Sequence, residues 1–233
     1  MLLQSSFSPQ RALRVLLNVS AVLSALHLVL LYLREGHGIK AKALTMLFDL
    51  DHEANVPTLF MVGLFLVNGL LLWSLMRLDR PNGRKRWQWL LLAFVFVFLA
   101  IDEGSQIHEK SIEAMHRLMG SIPHSALLYA WVIPYGLACL ALGIVLGKFL
   151  LSLPRRTLFL MMASGCVFVG GALGVEMLEG AATVNGGETS MFYLLLNALE
   201  EIMEMIGLSL FVYTLLDHLK TFRPEFTLRL AQN

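Results

Sequence analysis

Glu200, Glu201 and Glu204 stand within about one helical turn of each other, partway into an apolar stretch. Three more acidic groups mark the outer ends of other apolar stretches: Asp49, Asp51 and Glu53; Asp102, Glu103 and Glu109; Glu176 and Glu179. An ionised carboxylate at the centre of a membrane helix costs roughly 2.5–3.5 kcal/mol on insertion scales, so such groups face a bundle interior or a watery cavity and need a partner. Crowded carboxylates also repel one another unless a cation, protons or strong donors intervene. No Lys or Arg lies at that depth, which leaves a metal ion or bound protons.

Carboxylate-rich donor sets suit hard or borderline ions, and imidazole brings iron and zinc into range. The expected ligands of one or two divalent ions (Fe, Mn or Zn) are Glu53, Asp102, Glu109, Glu176, Glu201 and Glu204. Glu103, Glu179 and Glu200 are second-tier or alternate ligands, and His52 and His108 are candidate catalytic bases or further ligands. Glu176-x-x-Glu179 and Glu201-x-x-Glu204 repeat the i, i+3 spacing that di-metal four-helix proteins use as Glu-x-x-His. The one Glu-x-x-His here, Glu113-Ala-Met-His116, falls in an amphipathic stretch and reads as a solvated face. His27 reads as a hydrogen-bonded span histidine, and Cys139 and Cys166 as two small buried hydrophobes.

The elements that must position these groups are membrane helices. The 233 residues are 57% hydrophobic and 15% charged with a mean hydropathy of +0.67, too apolar for an ordinary soluble domain. Apolar runs long enough to cross the bilayer fall near 12–33, 56–76, 87–109, 126–151, 157–179 and 191–216, so residues 1–233 are read as a single membrane domain, an all-α bundle of six transmembrane helices. Basic residues collect at Arg11 and Arg14, from Arg77 to Arg86 with Lys85, at Lys148, Arg155 and Arg156, and at Lys220, Arg223 and Arg229. The positive-inside rule then makes the N- and C-termini cytoplasmic and turns the acids to the periplasmic or extracellular side. The first span reads as a signal anchor. A net charge of +1 gives no hint of nucleic-acid binding.

Local signals refine this plan. Pro57 suits the first turn of the second span, with Asn55 as its cap, and Asp49 reads as a capping or surface acid. Gly104 could bend the third span and bring His108 round to Asp102. Pro134 is expected to kink the fourth span, whose Tyr129, Trp131 and Tyr135 sit at the interface or line a cavity. Gly170 and Gly174 are spaced for close helix approach, and Gly180 to Ser190 is expected to be a flexible connection.

The segments Leu50-Asp-His-Glu-Ala-Asn-Val-Pro-Thr-Leu-Phe60, Ala100-Ile-Asp-Glu-Gly-Ser-Gln-Ile-His-Glu109, Gly171-Ala-Leu-Gly-Val-Glu176 and Ala198-Leu-Glu-Glu201 resemble a family of bacterial six-span membrane proteins with no assigned function. The resemblance covers most of residues 45 to 215. It implies a bacterial origin, hence a cytoplasmic (inner) membrane location, and no reaction. Serine-hydrolase, metalloprotease, P-loop and dinucleotide motifs are absent from the sequence, as is the short-spaced His-x-x-x-His of ceramidase-type hydrolases. The expected function is a metal-dependent membrane enzyme open to the outer leaflet, with membrane lipids around it and a hydrophobic, lipid-like or quinone-like substrate, working by hydrolysis or oxidation. The alternative is a proton or divalent-cation transporter or channel, which requires polar groups continuing toward the cytoplasm.

Overall fold

Each apolar stretch folds as helix in a computed structural model that describes residues 8–39, 41–52, 54–84, 86–120 and 126–222; no strand occurs among them. The helices are α1 (Pro9–His37), α2 (Lys42–Phe48), α3 (Val56–Leu78), α4 (Trp87–Ser105), α5 (Ile107–Met119), α6 (Val132–Leu151), α7 (Arg155–Val169), α8 (Glu176–Gly186) and α9 (Met191–Leu219). A π-helical turn, Gly170–Val175, joins α7 to α8 without a break. Five helices are long and apolar enough to cross a membrane: α1, α3, α4, α6 and the continuous rod Arg155–Gly186. They mark the chain as an integral membrane protein.

Helix α9 is not among those five, yet it is the axis of the bundle. It packs against α1, α3, α7, α8 and the π turn. That enclosure lets it carry carboxylates that a lipid-facing helix could not. Gly207 makes the tightest approach: a Cβ there would lie 2.7–2.8 Å from backbone and Cβ atoms of Phe168 on α7. Across the other interface, buried Asn68 of α3 donates to the carbonyl of Leu208 at 3.2 Å.

Several local expectations are corrected. Close approach occurs at Gly170, where a Cβ would lie 3.3 Å from Met203 Cε, and more tightly at Gly171 and Gly207, whereas a Cβ on Gly174 would touch nothing. Helix continues through Gly180 to Gly186, so the connection is shorter than the glycines suggested. Pro134 falls in the first turn of α6, where its missing N–H costs no helical bond, and so produces no kink there. Cys139 and Cys166 are exposed rather than buried. Asn55 caps α3 as expected, its Oδ1 accepting from the Thr58 N–H at 3.1 Å.

The helix polarities place the described basic residues of the 77–86 connection, Lys148, Arg155, Arg156 and Lys220 at one end of the bundle and the four acidic groups at the other; Lys85, Arg223 and Arg229 lie outside the described residues. At the basic end Asp79 pairs with Arg86 at 2.9 Å and accepts from the Trp89 indole at 2.8 Å. Arg156 donates to Asp217 and Tyr213, both at 2.8 Å.

Asp49 ends α2 and neither caps α3 nor lies at the surface. It is buried, 3.0 Å from Nδ1 of His27 and 3.4 Å from Arg34, and so ties the loop before α3 to α1. Burial acts to raise the Asp49 carboxyl, but the hydrogen bond and charge of His27, the Asp51 N–H and Arg34 outweigh it and hold the group below its ordinary 3.8. An acid held low in the folded chain adds stability above its ordinary value, and this is lost as pH falls through the folded value. Asp49→Ala is expected to cost about 2–3 kcal/mol by stranding buried partners. Thermal melts in detergent should show this loss, and wild type should lose stability below about pH 3.8 more steeply than Asp49→Asn.

Candidate functional site

The acids converge. One cavity of about 520 Å³ is lined by Asp51 from the loop before α3, Asp102 and Glu103 from α4, His108 and Glu109 from α5, Glu176 and Glu179 from α8, and Glu200, Glu201 and Glu204 from α9. Nine carboxylates and one imidazole therefore share a chamber, with no Lys or Arg among its described lining residues. Glu53, an expected ligand, lies outside the described residues. His52 is exposed and lines a separate shallow cleft with Arg34 and Lys42, so the structure does not bring it to the other candidates.

Two backbone irregularities aim the acids. The chain leaves α4 at Gln106, which adopts a left-handed conformation (φ 56°), not at Gly104. That conformation costs a non-glycine residue roughly 1–2 kcal/mol. The His108 N–H donates to Asp102 Oδ1 at 2.9 Å across the break, and His108 Nδ1 lies 3.4 Å from Asp102 Oδ2. His108 is thus brought round to Asp102, as a bend at Gly104 could have done, but by a break at Gln106. The second irregularity is the π turn before Glu176. A π turn shifts the helical register of everything after it, and such turns recur at functional sites; here it precedes the two glutamates that α8 turns to the chamber.

The tightest cluster is Glu176, Glu179 and Glu200, from each of which one carboxylate oxygen lies within 4.8 Å of the others. Glu179 is 1% exposed and its Oε1 finds no hydrogen-bond donor among the described residues. Glu176 accepts from the Trp131 indole at 2.8 Å. Trp131 in turn packs against the rings of His108 at 5.0 Å and Tyr135 at 5.1 Å, so the fourth-span aromatics line the chamber rather than only its rim. Among the expected ligands, Asp102 is buried, Glu176, Glu201 and Glu204 are half-buried against the cavity, and Glu109 is exposed at its edge. The triad combines Glu176 with Glu179 and Glu200, which the sequence ranked second. Residues 200 and 201 lie about 100° apart on α9, and sequence spacing alone does not say which of those directions meets α8.

Glu113 and His116 stay outside this set. Glu113 pairs with Arg117 on the exposed face of α5, and His116 Nε2 lies 2.7 Å from the Leu128 carbonyl, tying α5 to the chain leading into α6. Contributions that spacing did not rank are Asp51, Asn197 and Tyr193, all of which line the chamber. Two of them had a legible signal: Asp51 belongs to the acidic group before the second span, and Asn197 shares a helical face with Glu201 and Glu204.

Two oxygens on opposite sides of a divalent ion lie about 4–5 Å apart, twice a bond of roughly 2.0–2.6 Å. The triad's span is of that size, and its donors are all oxygen. An all-oxygen donor set is of the type that takes Mn, Fe, Mg or Ca rather than the nitrogen and sulfur set of a tetrahedral zinc site. No characterised protein and no solved structure matches the chain. Residues 15–219 match the family described as "Domain of unknown function (DUF8692)", and the chain belongs to that family.

Proposed function

We propose that the protein is a metal-dependent enzyme of the bacterial inner membrane, with α9 as a sixth span, both termini cytoplasmic and the carboxylate chamber facing the outer leaflet. Glu176, Glu179 and Glu200 hold a divalent ion, Mn or Fe by donor type, and Glu201, Glu204, Glu103 and Asp102 complete its surroundings or hold a second ion. The observation that carries this reading is the convergence of nine carboxylates on one cavity with no lysine or arginine among its described lining residues. A bound ion supplies Lewis acidity and lowers the pKa of bound water. His108, fixed by Asp102, is placed to accept or donate a proton at Nε2. Trp131 holds the Glu176 carboxylate in position.

Transport fits less well. A relay needs polar groups through the membrane, but toward the basic end the cavity wall changes to Leu, Val, Phe, Met and Gly, with Ser164 as a lone hydroxyl. The site is polar at one end only, which suits a hydrophobic substrate that enters with its reacting group toward the chamber.

Elemental analysis of protein purified without chelator tests the proposal. Stoichiometric Mn or Fe is expected. Binding of added Mn²⁺ is expected to weaken as pH falls, because protons compete for the carboxylate oxygens. Metal-free protein that neither binds Mn²⁺ in calorimetry nor changes its melting temperature with EDTA would remove the reading.

A further inference from the structure

The cavity is much longer than its acidic part. Below the chamber it continues as an apolar gallery between α4, α6, α7 and α9, walled by residues such as Val95, Cys139, Leu142, Met162, Phe168 and Phe211. On α6 its lining runs from Tyr135 to Leu150. At ~1.5 Å per residue that is about 22 Å, longer than the roughly 15 Å of hydrocarbon in one leaflet. The gallery exists because α6 stands off the bundle in its middle: its buried residues are Val132 at one end and Leu146 and Phe149 at the other. A Cβ on Gly143 or Gly147 would meet nothing within 4 Å.

We propose that chamber and gallery together bind one long-chain amine, its ammonium among the carboxylates and its alkyl chain along α6. This names the substrate class of the site described above and rests on the reading that the chamber takes a ligand. Three observations select the head. The chamber wall holds nine carboxylates and no described lysine or arginine, so an ion held by the triad leaves six further acids with His108 as the basic side chain among the described lining residues. Four aromatic side chains, Tyr129, Trp131, Tyr135 and Tyr193, line the same cavity, and aromatic faces attract desolvated ammonium groups. Buried Glu179, with one oxygen that finds no donor among the described residues, leaves an acceptor for a ligand's N–H. An ammonium brings three donors. The gallery selects chain length and direction rather than adding affinity, because an alkyl chain leaving lipid for an apolar wall gains no hydrophobic driving force.

The test uses the purified full chain in a non-ionic detergent with hexadecylamine, butylamine, hexadecanol and hexadecanoate, read by melting temperature and by native mass spectrometry. Hexadecylamine is expected to remain bound at one per chain and to raise the melting temperature, while butylamine, hexadecanol and hexadecanoate do not. Its binding should be at least about tenfold tighter than that of hexadecanoate, because like charges brought together in a site are strongly disfavoured. Gly143→Phe fills the gallery from open space and should abolish the hexadecylamine effect while keeping the response to Mn²⁺. Cys139→Phe, one turn away on the same wall, should do the same. Equal binding of hexadecanol or hexadecanoate, or hexadecylamine binding unaffected by both phenylalanine variants, overturns the proposal. Loss of the Mn²⁺ response with retained amine binding removes the metal reading alone, and the reverse pattern removes the amine alone.

Discussion

Gly207→Ala is expected to lower the melting temperature sharply and to weaken Mn²⁺ binding, although the residue touches no carboxylate of the chamber's triad. The added methyl would lie 2.7 Å from the backbone nitrogen and 2.8 Å from the Cα of Phe168, against ordinary contacts of 3.4–4 Å, so the α7 backbone itself must move. Overpacking a tight contact typically costs 1–3 kcal/mol, occasionally more. A backbone clash belongs at the upper end, and the roughly 0.5–1 kcal/mol that alanine gains over glycine inside a helix offsets only part of it. The displacement travels because α7, the π turn and α8 are one rod, and the end of that rod carries Glu176 and Glu179. Gly171, whose Cβ would lie 3.0 Å from the Glu200 carbonyl, repeats the constraint beside the triad. Gly165→Ala on the same rod is the control: its Cβ meets nothing within 4 Å, and it should leave stability unchanged or raise it by about 0.5–1 kcal/mol. Equal melting curves and Mn²⁺ titrations for Gly207→Ala and wild type would show that the α7–α9 approach does not position the site.

Glu179→Gln combined with Glu200→Gln is expected to reverse the effect of metal on stability. Two ionised carboxylates about 5 Å apart repel by roughly 3 kcal/mol at an effective dielectric of 20. Replacing two of the three by neutral amides of the same shape removes that repulsion. Metal-free variant should therefore melt at or above metal-free wild type. In Mn²⁺ the order inverts: an ion at roughly 100 times its Kd stabilises the wild type by about 2.7 kcal/mol, or about 5–10 °C for a chain of this size. The variant, lacking two ligands, should bind at least about a hundredfold more weakly, beyond the 10–100-fold that loss of an outer partner costs. If the triad is only a network of protonated carboxyls joining α8 to α9, the variant melts below wild type with or without Mn²⁺, and wild type ignores the ion. Melting curves of both proteins with EDTA and with Mn²⁺ separate the two cases.

Much of the fold follows from composition because a membrane leaves few choices. Apolar runs of bilayer length must be helices, since no other open structure satisfies its own backbone in lipid. The runs near 56–76 and 191–216 correspond to α3 and α9, and Asn55 with Pro57 marks the start of α3. Boundaries near Gly180 and Pro134 were less legible, because neither residue announces whether it ends a helix, continues it or opens it. The acidic set was also legible: charges so costly in lipid have to face a shared polar interior. Asp102 with His108, and Glu176 with Glu200 and Glu204, all line it.

What the linear chain determined by itself is an all-helical membrane protein with its basic residues grouped apart from an acidic pole, since charge and hydropathy act residue by residue. Tertiary structure alone decided which acids touch. The triad depends on the rotation of α8 after a π turn and on the closeness of α7 to α9 at Gly207, and both are relations between helices that one helix's spacing does not contain. The gallery is of the same kind. Nothing in the apolar sequence of α6 says that its middle stands away from the bundle, because a wall facing a cavity and a wall facing lipid are written in the same residues.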